Sequence, residues 1–366
     1  MFAKKIASLM IVFILAMSFE AAPFAQASQH AQMRTDQSSV IQYSAQERAA
    51  AQNKFADPAV RAAAKPFPLP EPKGSAGVST EKLGAPYQSA PGQPKPGAKA
   101  MAQALYGSAQ PAPKGVVPDL SSSLTPYAKY YAFNRYIANW YTYEWMQYPY
   151  ETVGKIYFSD GMYDYYCTAT LIDYDIVATA AHCVYDTAYN FYYTAPIFYP
   201  AESGGVAPYG GWMPQSGAIT PNWIAAKYYS LKVVKDDVAL LSYPYTDGSG
   251  FNVSDYVGYL GYWKNLYPTQ VVNTMGYPAN LSSGDQFSYI CTGQTFKKGS
   301  GVIGMGCDME GGSSGGPWIV GFYPYYYLSG WAMSVVSGGY AGSGVFYGAL
   351  FSDYNIGYLC GVTGWC

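Results

Sequence analysis

Two short segments contain the side chains with the clearest potential for chemistry. Residues Gly311–Pro317 read Gly-Gly-Ser-Ser-Gly-Gly-Pro, and Thr179–Cys183 read Thr-Ala-Ala-His-Cys. A serine hydroxyl attacks a carbonyl only when an imidazole takes its proton and N–H groups hold the developing oxyanion. Glycines near Ser314 would let the backbone turn tightly and direct the N–H groups of Gly312 and Ser314 to one point. The two segments therefore predict nucleophilic chemistry, with Ser314 as the nucleophile and His182 as its base.

Each segment also has an ordinary structural interpretation. A Gly-Ser-Ser-Gly-Gly string is common in flexible loops, and a single buried histidine is usually structural. The chain has two histidines, His30 and His182, and His30 lies in a part that we expect to be removed. His182 would then be the only imidazole of the mature domain, which favours the general-base role.

The two segments resemble the active-site segments of the chymotrypsin-like serine endopeptidases, whose patterns are Thr-Ala-Ala-His-Cys and Gly-Asp-Ser-Gly-Gly-Pro. All five residues match at the histidine, and Ser313 stands where the second pattern most often has Asp. The family's third element is an aspartate that opens a buried strand, and Asp237 before Val238–Leu241 fits it. The chain order His182, Asp237, Ser314 is the order of that fold. Departures from the animal-type pattern point to the secreted bacterial branch that includes the glutamyl endopeptidases.

The aspartate has two candidates. Asp236 and Asp237 are adjacent, so on a strand their side chains point to opposite faces and only one can meet the imidazole. We assign the orienting role to Asp237, because Val-Ala-Leu follows it directly, as in the family's Asp-x-Ala-Leu form. The resemblance further implies that the N–H groups of Gly312 and Ser314 bind the oxyanion and that no cofactor is needed.

The resemblance also places a primary specificity pocket beside the nucleophile. Asp308 precedes Ser314 at the expected pocket floor, and Ser337, Gly338 and Gly339 lie on the strand expected to form one wall. The two glycines would leave room for a large side chain, and a carboxylate on the floor would prefer Arg or Lys. Asp308 is also consistent with a turn residue that bonds its own backbone, so both interpretations stay open.

All six cysteines lie in the C-terminal part of the chain, after residue 126. An even number in an exported chain indicates disulfides, and six thiols allow 15 pairings. Metal binding is disfavoured, because there is no Cys-x-x-Cys pair and only one mature histidine. The resemblance implies the bridges Cys167–Cys183, Cys291–Cys307 and Cys360–Cys366.

Residues 1–27 have the pattern of a secretory signal peptide. Lys4 and Lys5 precede the apolar stretch Ile6–Phe19, and Ala25–Ala27 supplies a small-x-small cleavage site. The apolar stretch is too short for a retained transmembrane helix, and no later segment reaches about 18 continuous apolar residues. We therefore expect a secreted protein with no membrane segment after signal cleavage.

Residues 28–126 have a different composition from the rest. Thirteen of the 25 prolines fall between Pro58 and Pro126, a composition that fits either a disordered linker or a propeptide with a function. A short helix is predicted around Ala45 to Ala64, where Ala, Gln, Glu and Arg favour helix. Residues 1–126 carry a net charge of +5 and residues 127–366 a net charge of −7. The opposite charges favour docking of the basic propeptide on the domain, within the limits of screening.

Residues 127–366 predict one all-β domain. Short segments rich in β-branched and aromatic residues are separated by Gly, Pro, Asn and Asp, and no long helical periodicity competes with them. The predicted strands are Val153–Phe158, Cys167–Ile172, Ile176–Thr179, Asp237–Leu241, Trp318–Phe322 and Gly330–Ser337. The resemblance implies two six-stranded antiparallel β-barrels with the active site in the cleft between them.

The remaining composition bears on partners. The domain has no basic run, so we expect no nucleic-acid binding. Of the 40 tyrosines, 37 lie at or after Tyr127, and a tyrosine-rich sheet surface is favoured over a carbohydrate-binding strip. We expect a monomer that acts on a protein or peptide substrate. The alternative is a protease-like binding module that keeps the fold without turnover.

Overall fold

The computed structural model describes residues 38–73, 83–95, 131–138, 144–244, 251–281, 287–322 and 330–366. The predicted signal peptide lies outside the described residues. The strands are β1 (Val40–Gln42), β2 (Lys65–Pro66), β3 (Tyr87–Gln88), β4 (Phe133–Ile137), β5 (Val153–Ser159), β6 (Asp164–Leu171), β7 (Ile176–Thr179), β8 (Tyr185–Asp186), β9 (Phe191–Tyr192), β10 (Ile197–Pro200), β11 (Ser216–Ile219), β12 (Ala239–Ser242), β13 (Gly261–Lys264), β14 (Val271–Gly276), β15 (Tyr289–Gln294), β16 (Phe296–Gly299), β17 (Val302–Gly306), β18 (Pro317–Val320), β19 (Trp331–Gly339) and β20 (Val345–Leu350).

The described residues form fewer helices than strands. The α-helices are α1 (Ala45–Phe55), α2 (Pro58–Ala63), α3 (Pro221–Ile224), α4 (Val253–Val257) and α5 (Ile356–Thr363), and 3₁₀ turns occupy Glu144–Met146, Tyr150–Thr152, Ala181–Cys183 and Val234–Asp236. Within the described ranges, no helix combines the length and the apolar character needed to cross a membrane.

The first sheet contains eight strands in the order β1-β11-β12-β7-β6-β5-β10, with β2 paired to β6. Six of these strands belong to the predicted domain, and β1 and β2 come from residues 28–126. The strand pairs are antiparallel except for β2 with β6, which is parallel. β7 has the bounds predicted from the sequence, and its four residues are all buried.

The second sheet contains ten strands. Their order is β16-β17-β20-β19-β18-β14-β15-β4, with β13 paired to β19 and β3 to β13. Nine belong to the domain, more than the six expected, and β3 is contributed by residues 28–126. The predicted all-β architecture is confirmed, and the segments predicted to be strands lie in both sheets.

Many tyrosines lie in the core, where the composition suggested a sheet surface. The largest fully buried side chains include Tyr157, Tyr185, Tyr192, Tyr243 and Tyr277. A buried hydroxyl needs an acceptor, and that of Tyr243 donates to the Pro196 carbonyl at 2.6 Å. Tyrosine here builds apolar packing and bonds the backbone at the same time.

The described parts of residues 28–126 fold against the domain. The helix predicted between Ala45 and Ala64 is present as α1 and α2. Ser44 and Glu47 form a capping box at the start of α1, and Phe55 at its end is fully buried against Tyr157. We refer to residues 28–126 as the leader.

Three disulfides fix loops of the domain. The bonds Cys167–Cys183, Cys291–Cys307 and Cys360–Cys366 are all present, as the resemblance implied. The first ties β6 to the turn that contains His182, so the bond stabilises the position of that side chain. The second ties β15 to the segment that follows β17, shortly before Ser314.

Candidate active site

The imidazole of His182 is held in place through two atoms. The 3₁₀ turn Ala181–Cys183 follows β7 directly and places His182 beside Asp237. The His182 N–H donates to Asp237 Oδ1 at 2.9 Å, and His182 Nδ1 lies 2.7 Å from Asp237 Oδ2. Because the ring and its own backbone use the two oxygens of one carboxylate, the ring orientation is fixed.

Asp237 is fully buried at the end of the 3₁₀ turn Val234–Asp236. β12 begins two residues later, at Ala239, so the strand is shorter than predicted because Asp237 closes the turn. Asp236 points elsewhere and accepts a hydrogen bond from Asn222 Nδ2 at 3.2 Å. The structure therefore brings Asp237, and not Asp236, to the imidazole.

Two further hydroxyls support Asp237. Ser337 Oγ donates to Asp237 Oδ2 at 2.5 Å, and the Tyr229 hydroxyl lies 2.8 Å from Ser337 Oγ. Since Ser337 uses its single proton on the carboxylate, Tyr229 is the donor in the second bond. Burial raises the pKa of Tyr229 well above its ordinary value, so the phenol stays neutral. Ser337 was expected in a pocket wall, and Tyr229 was not expected at the site because no local pattern distinguishes it among 40 tyrosines.

The serine loop requires glycine at two positions. Gly312 has φ +90° and Gly315 has φ +82°, in the region that L side chains rarely adopt. A Cβ on Gly315 would overlap Thr179 Oγ1 and the Thr168 carbonyl. The Ser314 carbonyl accepts from Thr168 N at 2.8 Å. The loop is thereby packed directly against the strands that lead to His182.

The reactive atoms of the site are buried. Ser314 is fully buried and His182 is 5% exposed. Among the described residues, neither Ser314 Oγ nor His182 Nε2 has a hydrogen-bond partner. The ring of Phe67 stacks on the imidazole with centroids 5.7 Å apart, and the Phe67 carbonyl accepts from Gly312 N at 2.9 Å. The leader therefore covers this site.

Ser313, which replaces the family's usual aspartate, has a local role. Its hydroxyl donates to the Glu310 carbonyl at 2.6 Å, and its N–H donates to the same oxygen at 3.1 Å. Both bonds close the turn that enters the serine loop. No ion pair is involved in these contacts.

Asp308 lines a cavity of about 240 Å³ next to the serine loop. Its Oδ2 pairs with Arg135 Nη1 on β4, and both side chains are about 30% exposed. The same cavity is lined by Leu69, Phe133, Asn280, Cys307, Met309, Glu310, Tyr340, Gly342, Gly344 and Val345. Gly338 and Gly339 lie beside it and contact the leader at Pro70. Arg135 was not expected beside Asp308, because nothing in the sequence links two residues so distant along the chain.

Taken together, the residues can perform acyl chemistry. An imidazole whose Nδ1 is bonded to a buried carboxylate has Nε2 available as a proton acceptor. Ser314 lies on a glycine loop whose N–H groups can stabilise negative charge.

Comparison with known proteins agrees with the fold and the motifs. Residues 143–348, more than half of the chain, match the family described as Trypsin. A glutamyl endopeptidase of Bacillus licheniformis is 29% identical over 177 residues, which cover 46% of this chain and 49% of that protein. The chain thus spans about half the length of this curated relative.

Solved protease structures are also similar to this chain. The protease Anisep from Arthrobacter nicotinovorans is 28% identical with a TM-score of 0.51, covering 58% of this chain and 94% of that one. The thermostable serine protease AL20 from an extremophilic microorganism is 26% identical with a TM-score of 0.51, covering 59% and 98%. A Glu endopeptidase in complex with MPD is 20% identical with a TM-score of 0.50, covering 63% and 96%, and shows a likeness of fold alone. With the fold, the motif order and the family match in agreement, this chain belongs to the trypsin family and carries a trypsin-like serine protease domain.

Proposed function

We propose that the chain is the precursor of a secreted serine endopeptidase. Ser314 attacks the scissile carbonyl while His182 Nε2 takes the hydroxyl proton. Asp237 holds the imidazole and stabilises its positive charge, and the N–H groups of Gly312 and Ser314 bind the oxyanion. His182 then gives its proton to the leaving amine, and water releases the acyl-enzyme by the same route in reverse.

One observation carries this proposal above the others. The two oxygens of Asp237 bond the backbone and the ring of the same histidine, at 2.9 and 2.7 Å. Such an arrangement fixes the tautomer with the proton on Nδ1 and leaves Nε2 as the base. An ordinary core histidine has no need of a fully buried carboxylate with this geometry, because a carbonyl or a water would satisfy its ring.

The proposed substrates are proteins or peptides, and the reaction needs no cofactor. The relatives named above are a glutamyl endopeptidase and other bacterial proteases. Export through the signal peptide at residues 1–27 and removal of the leader by cleavage near residue 126 complete the proposal. Ser313 cannot form an ion pair with a new N-terminal ammonium, so processing unblocks the site without such a bond.

Active-site labelling tests the proposal. The processed protein is incubated with a fluorophosphonate, and the adduct is located by mass spectrometry. A single adduct on Ser314, absent in Ser314→Ala, is expected together with hydrolysis of an unfolded protein substrate. Correctly folded, processed protein that takes no label would contradict the enzyme and leave the binding module as the better interpretation.

A further inference from the structure

We propose that leader residues 65–73 form an intramolecular inhibitor that crosses the active-site cleft in the direction opposite to a substrate. The inference rests on the proposed peptidase function. It assigns to the cleft a peptide ligand of defined chemistry, an extended segment with alternating prolines and the apolar anchors Phe67 and Leu69.

The segment enters the cleft beside the first sheet. Lys65 and Pro66 form β2, parallel to β6 at Tyr165 and Tyr166. The Phe67 N–H then donates to the Tyr166 carbonyl at 3.0 Å. This contact lies one residue before the disulfide that fixes the His182 turn, so the segment arrives directly at the imidazole.

At the proposed active site, Phe67 contacts two groups that peptide hydrolysis requires. Its carbonyl accepts from Gly312 N at 2.9 Å, which is one of the two donors proposed for the oxyanion. Its ring stacks on His182 and also packs against Phe158 and Tyr193. A substrate carbonyl cannot reach Gly312 while this contact exists.

The segment leaves along the second sheet. Gly339 N donates to the Pro70 carbonyl at 3.0 Å, and the N–H of Lys73 donates to the Tyr229 carbonyl at 3.0 Å. The Tyr340 hydroxyl donates to the Pro72 carbonyl at 3.2 Å. Hydrogen bonds to β6 and β19 thus hold the segment across the site from one sheet to the other.

The positions of Phe67 and Leu69 determine the direction. In a productive complex, one residue presents its carbonyl to the oxyanion donors and also fills the pocket that selects the acyl side chain. Here the carbonyl at Gly312 belongs to Phe67, whereas the residue that lines the Asp308 cavity is Leu69. Leu69 lies beyond Phe67 on the leaving-group side of the Phe67–Pro68 bond. The leader residue at the pocket wall therefore lies on the wrong side of that bond, and the segment is bound without being aligned for attack.

The sequence of the segment suits a persistent ligand. Prolines stand at positions 66, 68, 70 and 72. Each proline fixes its own φ and restricts the residue before it to extended conformations, so little conformational entropy is lost on binding. The Phe67–Pro68 bond, whose carbonyl accepts from Gly312 N, is also a tertiary amide, whose ring carbon stands where a secondary amide has its N–H.

Contacts on both sides tether the segment. Arg61 in α2 pairs with Glu202 at 3.1 Å, with both side chains almost fully buried, and also donates to the Phe55 carbonyl at 2.8 Å. On the far side, Glu71 accepts from Ala341 N at 3.0 Å. Tethering makes the effective concentration of the segment at the cleft high, so that even modest intrinsic affinity blocks the site.

The test measures the rate of fluorophosphonate labelling at Ser314 in the full chain. Wild-type precursor is compared with the double variant Phe67→Gly/Leu69→Gly and with the control Ala49→Gly/Ala50→Gly, which changes two exposed residues of α1. We expect labelling of the Phe67/Leu69 variant to be at least tenfold faster than that of wild type and of the control. Thermal unfolding verifies that all three proteins are folded.

The outcomes separate the two proposals. Wild-type precursor that is labelled as fast as the double variant and the processed form would overturn the inhibitor while leaving the peptidase intact. Absence of label in every form would overturn the peptidase and the inhibitor together. Should the double variant not fold, processing of the wild type must itself raise the labelling rate at least tenfold. Mass spectrometry of the retained leader adds a check on direction, since cleavage after Phe67 or Leu69 would contradict non-productive binding.

Discussion

Asp237 and Glu151 are both fully buried carboxylates, and the regions around them are stabilised in different ways. Asp237 accepts hydrogen bonds from His182 and Ser337, both within the domain. Glu151 accepts from the Tyr209 hydroxyl at 2.7 Å and from Lys95 Nζ at 2.8 Å. Lys95 belongs to the leader. The proposed catalytic cluster therefore has these partners within the domain, whereas Glu151 takes its cation from the leader.

Glu202 repeats the pattern of Glu151. Among the described residues, its ion-pair partner is Arg61 of the leader, and the Tyr157 hydroxyl donates to it at 2.8 Å. A buried carboxylate that loses its cation pays a large desolvation cost unless it is hydrated or protonated. The difference between the two regions indicates that Arg61 and Lys95 of the leader stabilise the buried carboxylates Glu202 and Glu151, while the hydrogen bonds to Asp237 do not involve the leader.

The largest effect is expected from removing the hydrogen bond between Asp237 and His182. Asp237→Asn in the processed protein should lower kcat by about four orders of magnitude, because an amide cannot hold the imidazole in the required tautomer. Steady-state hydrolysis of a peptide substrate measures the effect. Asp236→Asn is the matched control and should change kcat less than about threefold, since that side chain bonds Asn222 instead. The opposite ranking of the two variants would show that the assignment is shifted by one residue.

The leader-dependent region should be the pH-sensitive one. Burial raises the pKa of Glu151 from 4.5 to about 7, with Lys95 opposing the rise. The folded state thus binds this proton more tightly than the unfolded state, so stability falls as pH rises between about 4.5 and 7. The loss over that window is on the order of 3 kcal/mol.

Urea unfolding of the full chain in a Ser314→Ala background measures this loss. Glu151→Gln should remove most of the decrease between pH 5 and pH 8, because the amide has no charge to bury. Glu47→Gln is the control and should keep the wild-type slope, because Glu47 is only half-buried and glutamine can keep its capping-box hydrogen bond to Ser44 N. Lys95→Met should enlarge the decrease in stability over this pH range, because Lys95 opposes the rise in the pKa of Glu151. If all four proteins showed the same pH dependence, Glu151 would not be the group that titrates.

The sequence predicts best where stereochemistry demands particular neighbouring residues. The His182 turn needs its cysteine, and the Ser314 loop needs glycine at positive φ on both sides, so both appear as short local patterns. β7 was predicted with correct bounds because a run of buried apolar and β-branched residues leaves little choice. Local requirements of this kind leave a signature in consecutive residues.

Contacts between distant residues leave no such signature. Tyr229 reaches Ser337 across 108 positions, and Arg135 reaches Asp308 across 173. The leader was predicted to dock through its net charge, yet its central contacts are the apolar side chains of Phe67 and Leu69. Net charge predicts an attraction but cannot predict the register of the leader, because register depends on pockets formed only by the folded chain.

The hydroxyl network beside Asp237 should have an intermediate effect. Ser337→Ala removes one hydrogen bond to a buried carboxylate, which is worth about 1.5–3 kcal/mol, and should lower kcat by about 10- to 100-fold. Tyr229→Phe removes only a neutral bond to Ser337 and should cost less than about tenfold. For both variants, kcat of the processed protein is measured at saturating substrate. A larger loss for Tyr229→Phe than for Ser337→Ala would mean that Tyr229 acts on the cluster by another contact.

The smallest effect is expected at the proposed specificity pocket, where the Asp308 carboxylate is only half-buried. Asp308 is already paired with Arg135, and Leu69, Phe133, Met309 and other apolar residues line the same cavity. A basic substrate side chain would have to displace Arg135 to reach Asp308. We therefore predict that the processed enzyme prefers Leu to Arg at the acyl position. Arg135→Met should raise kcat/KM for the Arg substrate about tenfold relative to Leu, a modest gain because a partly exposed ion pair is screened by solvent.

Matched peptides ending in Leu, Arg and Glu measure this preference. Arg135→Lys is the control, since it keeps a cation beside Asp308 and should keep the preference for Leu. Adding Asp308→Asn to Arg135→Met should abolish the gain, because the unpaired Asp308 carboxylate is what attracts the substrate's arginine side chain. A wild-type enzyme that already prefers Arg, and loses that preference in Asp308→Asn, would instead establish Asp308 as a free pocket floor and show that Arg135 moves aside when substrate binds.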